Sequence, residues 1–404
     1  MTFNQFLVLI KLFGFYKHPN RRLRVRKFLL ISSFLPSVLN LRGKLLDDIQ
    51  KKGYEIHIIA PNLEEYFSDL NKLEALGYTV HEVYLQRTGT NPISDFKTLI
   101  SIYKLINNIR PTYVLAYTIK PVIYGILASW LANVPYKFAL IPGIGYAFKN
   151  VDDGVSRTFF QKIIHILYKY SLSHTDKIFF QNVDDLNLFQ SLNLIKSSTY
   201  SVIVNGSGVH IDEFPLVDLP RSNSGHPKIS FLLIARLLGD KGIREYAEAA
   251  KVIRNSYPDV EFHLVGWIDT NPTAITKNEL DTWIKENTVT YWGKLDDVRP
   301  VIAQSSVYVL PSYREGTPRT VLEAMSMGRA IITTDAPGCR ETVVHGENGF
   351  LVEVKSVKSL VDAMKQFIDK PELIEKMGKS SREIVLNKYD VHLINNHMIK
   401  EMGL

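Results

Sequence analysis

Cysteine is nearly absent. Cys339 is the single one in 404 residues, so an intramolecular disulfide is excluded, and with it the small disulfide-stapled secreted class; a reducing cytoplasmic setting fits. No Asp-x-Asp triplet occurs, so a diphosphate bridged through a metal held by such a motif is not expected. No Cys and His spacing resembles a structural metal site either, and neither a metal nor a cofactor is expected. Long apolar runs are also missing. The most apolar stretch, 122–134, is 13 residues long between Pro121 and Pro135, short of the roughly 20 that a spanning helix needs, and it reads as a buried helix. Low-complexity tracts and repeats of about 20–50 residues are absent too. What remains is a globular chain, 46% hydrophobic. It is able to bury a sizeable core and is longer than one usual domain, so two domains are expected.

The net charge of +7 calls for an acidic partner: nucleic acid, an anionic membrane face or phosphorylated substrates. Much of the excess is local. Lys17, Arg21, Arg22, Arg24, Arg26 and Lys27 place six basic residues and no acid in eleven positions, behind an apolar, aromatic segment at 1–16. A secretory signal peptide has the opposite order, with its charge first. The pattern fits an interfacial anchor, so residues 1–27 are expected to associate with an anionic membrane surface. The alternative is an extension packed on the domain. The basic run is terminal and lacks an interleaved stacking platform, so no nucleic-acid partner is expected.

Beyond that segment, apolar strand-like runs alternate with amphipathic helical patterns. Strands are expected at 27–33, 54–60, 79–83, 113–116, 137–141, 177–180 and 200–203. Helices are expected at 41–52, 94–108, 122–133 and 157–173. A second series has strands at 228–235, 260–265, 289–292, 307–311 and 330–333 and helices at 242–257 and 320–327. This is the signature of an α/β chain with two doubly wound, Rossmann-like domains, each a parallel sheet covered on both faces. The expected boundaries are 28–208 for the first domain and 209–385 for the second, with a helix in 386–404 crossing back to the first. Ligands of such sheets bind beyond the carboxyl ends of the strands, so two substrates are expected in a cleft where the domains face each other.

The second domain carries the most informative residues. Glu315 and Glu323 lie eight positions apart, and a helix starting near Pro318 would place Glu323 on the helix and Glu315 in the loop before it. Gly316 and the helix N-terminus suit a phosphate and the acids suit hydroxyls, together a nucleotide-sugar site. After the first strand of this series, Arg236 and Lys241 flank a loop with glycines at 239 and 242, where two cations could neutralise a diphosphate without a divalent ion. The alternative is that they form surface ion pairs with Asp240 or Glu245.

Three segments carry a resemblance: Ala235-Arg-Leu with Lys241-Gly242, the Glu315 and Glu323 segment from Pro311 to Gly328, and Asp335-Ala-Pro-Gly-Cys-Arg-Glu341 followed by Gly346-Glu-Asn-Gly-Phe-Leu-Val352. Together they resemble the retaining GT-B glycosyltransferases of family 4 over nearly the whole chain. The resemblance implies that Arg236 and Lys241 bind the donor diphosphate, that Glu315 contacts hydroxyls of the transferred sugar, and that Glu323 contacts the ribose. It also implies that Gly316 and Thr317, before Pro318, offer backbone N–H groups to the sugar and phosphate, with Gly242 beside them; many relatives have an aromatic residue where Thr317 stands. Residues 87–92, 117–125, 142–148 and 205–208 resemble a bacterial subgroup. Those enzymes add N-acetylgalactosamine, N-acetylglucosamine or a related hexose from a UDP-sugar to a sugar on undecaprenyl diphosphate, building O-antigen, capsule or glycan precursors. Its commoner second loop is Thr-Gly-Leu-Gly, where Pro142 and Ile144 stand here. The implied location is cytoplasmic, peripheral on the inner face of the membrane.

For the acceptor, Lys120 follows a strand end and would enter the cleft opposite the donor; alternatively it is a solvated lysine before a proline-started helix. Gly143 and Gly145 permit close backbone approach or a plain turn. Arg42 and Gly43, with Asn40, are expected to begin the helix after the first strand, where an acceptor phosphate could sit. A UDP-sugar epimerase of the same architecture and a transferase with a non-lipid acceptor remain the alternative readings.

Overall fold

The computed structural model describes residues 26–86, 91–144, 155–221, 225, 228–269, 271 and 273–404, with backbone alone at 155–162. Most of the expected membrane-associating segment, residues 87–90 and Gly145 with residues 146–148 lie outside the described residues. The chain divides into two compact units, Met1–Ile203 with His397–Leu404, and Val204–Asn396.

In the first unit, β1 (Lys27–Ile31), β2 (Glu55–Ala60), β3 (Thr79–Glu82), β4 (Tyr113–Tyr117), β5 (Tyr136–Ile141), β6 (Lys177–Phe180) and β7 (Ser201–Ile203) form one parallel sheet. Its order is β3-β2-β1-β4-β5-β6-β7. Helices cover both faces, so both alternating sets of strand side chains must be apolar. Phe28, Leu29, Leu30 and Ile31 of β1 and every residue of β4 are buried.

The helices of this unit are α1 (Pro36–Lys51), α2 (Phe67–Ala75), α3 (Pro92–Ile109), α4 (Ile126–Leu131), α5 (Val155–Leu172) and α6 (Val183–Ser191). Asn91 caps α3 by accepting from the Ile93 N–H at 3.0 Å, with Pro92 starting the helix. The helix expected at 122–133 opens instead with a π turn, Pro121–Gly125. A Cβ on Gly125 would lie 2.8 Å from Ile31 Cδ1, so the turn presses directly on β1. The helix expected from 41 starts at Pro36, where a fixed φ suits a first turn. Arg42 and Gly43 therefore lie inside α1, not at its beginning.

The second unit repeats the plan with β8 (Ser230–Ile234), β9 (Glu261–Val265), β10 (Thr290–Tyr291), β11 (Val307–Leu310), β12 (Ala330–Thr334) and β13 (Gly349–Val352), in the order β10-β9-β8-β11-β12-β13. Its helices are α7 (Ile243–Ser256), α8 (Lys277–Lys285), α9 (Arg299–Ala303), α10 (Arg319–Ser326), α11 (Val357–Asp369), α12 (Glu372–Ile384) and α13 (Val391–Met402), the last ending among residues of the first unit. On α7 the buried Ile243, Tyr246, Ala247, Ala250 and Ile253 repeat at helical spacing. The strand β13 was not foreseen, because Gly346-Glu-Asn-Gly reads as a turn. Gly349 pairs with Ile331, whose carbonyl oxygen would lie 1.9 Å from a Cβ there, so the glycine is what allows this edge to close.

Candidate active site

The order of the second sheet reverses between β8 and β11, and the loops leaving these strands meet at their carboxyl ends. Gly242 has φ 70°, and a Cβ on it would stand 2.2 Å from the Pro311 carbonyl oxygen. Replacing it by Ala must displace that backbone. We expect Gly242→Ala to lower stability by roughly 1–3 kcal/mol and to weaken UDP binding, checked by thermal unfolding with and without UDP.

Closure of these loops brings Lys241 Nζ onto Glu315 Oε1 as an ion pair, both side chains being largely buried. Ser312 Oγ donates to the same Glu315 oxygen at 2.7 Å. The backbone of Glu315 is held from beneath, its N–H donating to Pro337 O at 2.9 Å. Gly338, at φ 80°, leaves room for this: a Cβ there would fall 2.1 Å from Glu315 O. The loop after β12 thus cradles the loop of Glu315, and Cys339 within it is fully buried, its thiol pushed up to about 12 first by burial and then by the Glu315 charge.

Arg236 Nη1 donates to Asp269 Oδ2 at 3.0 Å, across the ends of β8 and β9. Lys241 thus meets Glu315 and Arg236 meets Asp269, and Glu245 is held by another group. Glu245 accepts from the Tyr313 hydroxyl at 2.6 Å, and the Asp240 carbonyl accepts from the Tyr313 N–H. Asp269, Ser312 and Gly338 are site-forming residues that sequence reasoning missed. A signal for Asp269 existed in Gly266, which directly follows β9 and would carry a Cβ 1.9 Å from Ala235 O, joining the two loops. Trp267, half exposed, follows it, with Lys294 Nζ 5.4 Å from its ring centroid.

Pro318 caps α10, as the glutamate spacing required, and places Glu323 on its buried side. Arg319 lies 2.8 Å away, yet burial outweighs this cation and raises the Glu323 carboxyl above its ordinary value. A raised folded-state value means that the native chain binds the proton more tightly than the unfolded chain. Stability is therefore lost as pH rises from the unfolded value through the folded one. We expect Glu323→Gln to raise the neutral-pH melting temperature while weakening UDP binding, a trade read by calorimetry, and a drop in both would remove this account of Glu323. Gly316 and Thr317 lie just before the cap, and Gly206, at φ 75°, would carry a Cβ 2.7 Å from Thr317 Cβ. The Asn205-Gly-Ser-Gly segment thus packs on the Thr317 loop within the second unit.

The first unit holds the residues expected to meet an acceptor. Lys120 Nζ donates to Asp95 Oδ1 at 2.8 Å, an ion pair that is mostly buried. At the ends of β1 and β4, Ser32 and Ser37 both hydrogen-bond the Tyr117 hydroxyl, at 2.8 and 2.7 Å, and Ser33 meets Thr118, which holds φ 72°. Arg42 stacks over the Tyr117 ring at 5.7 Å, 2% exposed. Its Nε and Nη2 have no hydrogen-bond partner, and burial lowers it to about 10. Gly43 fills no close approach, since a Cβ would meet only Val38 O at 3.9 Å. Gly143 lies two residues beyond β5, with φ 146°. Beyond β1, β2 and β3 a cavity of about 450 Å³ is lined by Ser33, Phe34, Asn62, Tyr66, Tyr84 and Gln86. Among the described residues no group of three or more His, Cys, Asp or Glu could hold a metal ion, and no helix is long and apolar enough to cross a membrane.

Residues 228–370 match the family described as glycosyl transferases group 1, and residues 30–182 match glycosyl transferase 4-like domains. The chain is 26% identical, over 90% of its length and 95% of the relative's, to the N,N'-diacetylbacillosaminyl-diphospho-undecaprenol alpha-1,3-N-acetylgalactosaminyltransferase of Campylobacter jejuni. It is 28% identical, over 74% of its length and 77% of the relative's, to the UDP-Gal:alpha-D-GlcNAc-diphosphoundecaprenol alpha-1,3-galactosyltransferase of Escherichia coli. The crystal structure of Anabaena HepE in complex with UDP superposes with a TM-score of 0.72 at 16% identity, covering 94% of this chain and all of that one. The expected fold is therefore found, and the chain belongs to the GT-B glycosyltransferases that join a glycosyl transferase 4-like domain to a group 1 domain.

Proposed function

We propose that the protein transfers an N-acetylhexosamine or hexose, N-acetylgalactosamine or N-acetylglucosamine being favoured, from a UDP-sugar to a sugar on undecaprenyl diphosphate, with retention at the anomeric carbon. The observation that carries this reading is the Lys241–Glu315 ion pair between the loops after the adjacent strands β8 and β11, with Arg236 in the first of those loops and Glu323 on the helix after the second. Two relatives whose names specify a diphospho-undecaprenol acceptor support the choice of acceptor.

Departure of UDP leaves positive charge on the sugar and adds negative charge to the leaving oxygen. Arg236 and Lys241 stabilise that oxygen more in the transition state than in the ground state. A double displacement would require a carboxylate beneath the anomeric carbon. In our reading Glu315 instead orients and polarises the transferred sugar, and the departing phosphate takes the acceptor proton on the same face. Because the protein's own cations carry the diphosphate, turnover is expected to survive chelation by EDTA within about twofold, and loss that added Mg²⁺ restores would remove the metal-independent part of the proposal. Lys120, Arg42 and Gly143 are proposed for the acceptor side, on the inner face of the cytoplasmic membrane. Synthetic undecaprenyl-diphosphate sugars offered with a panel of UDP-sugars, and the product linkage and anomer read by NMR, test the whole. An inverted anomer, or UDP-sugar isomerisation without acceptor, is the result that would overturn it.

A further inference from the structure

The helix α5 is apolar on two sides. Tyr168 and Leu172 are buried and join the core of the first unit, with Ile164 and Leu167 packed against it. This satisfies the core, yet Ile163 is 40% and Ile166 62% exposed on the outer side, one turn apart. Tyr170 follows at helical spacing. Its ring stands edge-on to Trp130 at 6.0 Å, and the His174 ring lies 4.2 Å from Trp130. A single exposed isoleucine needs no explanation, but a stripe of two that runs into a half-buried Tyr and Trp does. Charge supplies the second observation. Lys169 is exposed one turn from Ile166, and the sequence from Val155 to Thr175 contains no acid, the next being Asp176.

A helix with an apolar outer stripe, aromatic residues beside it and charges of one sign matches the interface of an anionic bilayer, where the isoleucines enter the acyl boundary and the cations meet lipid phosphates. We infer that the outer face of α5, with Trp130 and Tyr170, is a docking surface for an anionic lipid bilayer. The residues of this face are distant in sequence from the basic N-terminal run, and the site gains its purpose from the lipid-linked acceptor of the proposed function, on which this inference rests. Stable membrane attachment takes two signals, and this helix would supply the second.

Flotation of the full chain with phosphatidylcholine vesicles, with and without phosphatidylglycerol, tests the inference. The wild type is expected to float with the anionic vesicles. The double variant Ile163→Gln/Ile166→Gln is expected to lower the partition coefficient roughly tenfold. Lys169→Glu should lower it severalfold on anionic vesicles alone. Both isoleucines point outward, so an unchanged melting temperature verifies the fold. A companion variant, with Lys17, Arg21, Arg22 and Arg24 changed to Gln, separates the terminal segment. Wild-type partition in the isoleucine variant, or no flotation of the wild type, overturns the inference. So does a change in oligomeric mass by light scattering without a change in flotation, which would mark the stripe as a contact between copies. Transfer to a water-soluble, short-chain prenyl-diphosphate sugar, measured in parallel, should be equal in wild type and variant. Its absence with every prenyl-diphosphate acceptor would sink the acceptor reading and leave the flotation result standing.

Discussion

Glu315→Gln is expected to lower kcat by about 10²–10³-fold while UDP-sugar affinity changes only a few-fold. The asymmetry follows from what the carboxylate touches. Its Oε1 takes both the Lys241 ammonium and the Ser312 hydroxyl, and its backbone is fixed through Pro337 and the space left by Gly338. The amide keeps the shape, and its oxygen can still accept from both Lys241 and Ser312, so the loop should hold and the sugar should still bind. What disappears is a full negative charge close to a centre that becomes positive only as the bond breaks. Kinetics for kcat and calorimetry for affinity separate the two; equal losses in both would reject the orienting role and make Glu315 an ordinary binding residue.

Removal of the cations should look different. Arg236→Met and Lys241→Met are each expected to lower kcat/KM by about 10²–10³-fold and to weaken UDP itself about tenfold, because the diphosphate is charged in the ground state as well as in the transition state. The two variants should not be equivalent. The carboxylates left behind are similarly buried, Asp269 at 18% and Glu315 at 15% exposure, but Lys241 is itself buried at 17% exposure whereas Arg236 is 42% exposed, so Lys241→Met removes the more deeply buried ion pair. The Lys241 variant should therefore also unfold at lower temperature than the Arg236 variant. Restoring charge separates chemistry from geometry: Arg236→Lys should regain part of the loss, but not the bidentate contact that a guanidinium makes with phosphate.

Much of the fold was legible because a sheet covered on both sides imposes continuous apolar runs. All twelve expected strands exist, within a few residues at each end. What escaped were elements whose signal is local. Strand β13 hid behind glycines that serve close packing, and α8 is announced mainly by the capping box of Thr276 and Glu279. The start of α1 was misplaced because Leu35-Pro36-Ser37 reads as loop until one knows that Pro36 begins the helix. In the candidate site, the spacing of Glu315 and Glu323 and the loop of Lys241 were readable as motifs. For Asp269 the one signal was Gly266, which marks a close approach of the loops after β8 and β9; its pairing with Arg236 depends on the register of those strands, which the glycine does not specify.

The burial of Cys339 has a practical consequence. The chain's single thiol lies beneath the Glu315 loop with its ionisation suppressed, so maleimides and spin labels should pass the folded protein by. A cysteine placed anywhere else becomes a unique attachment point without prior removal of the native one. Ile166→Cys with an environment-sensitive fluorophore would then test immersion of that helix in the otherwise unaltered protein.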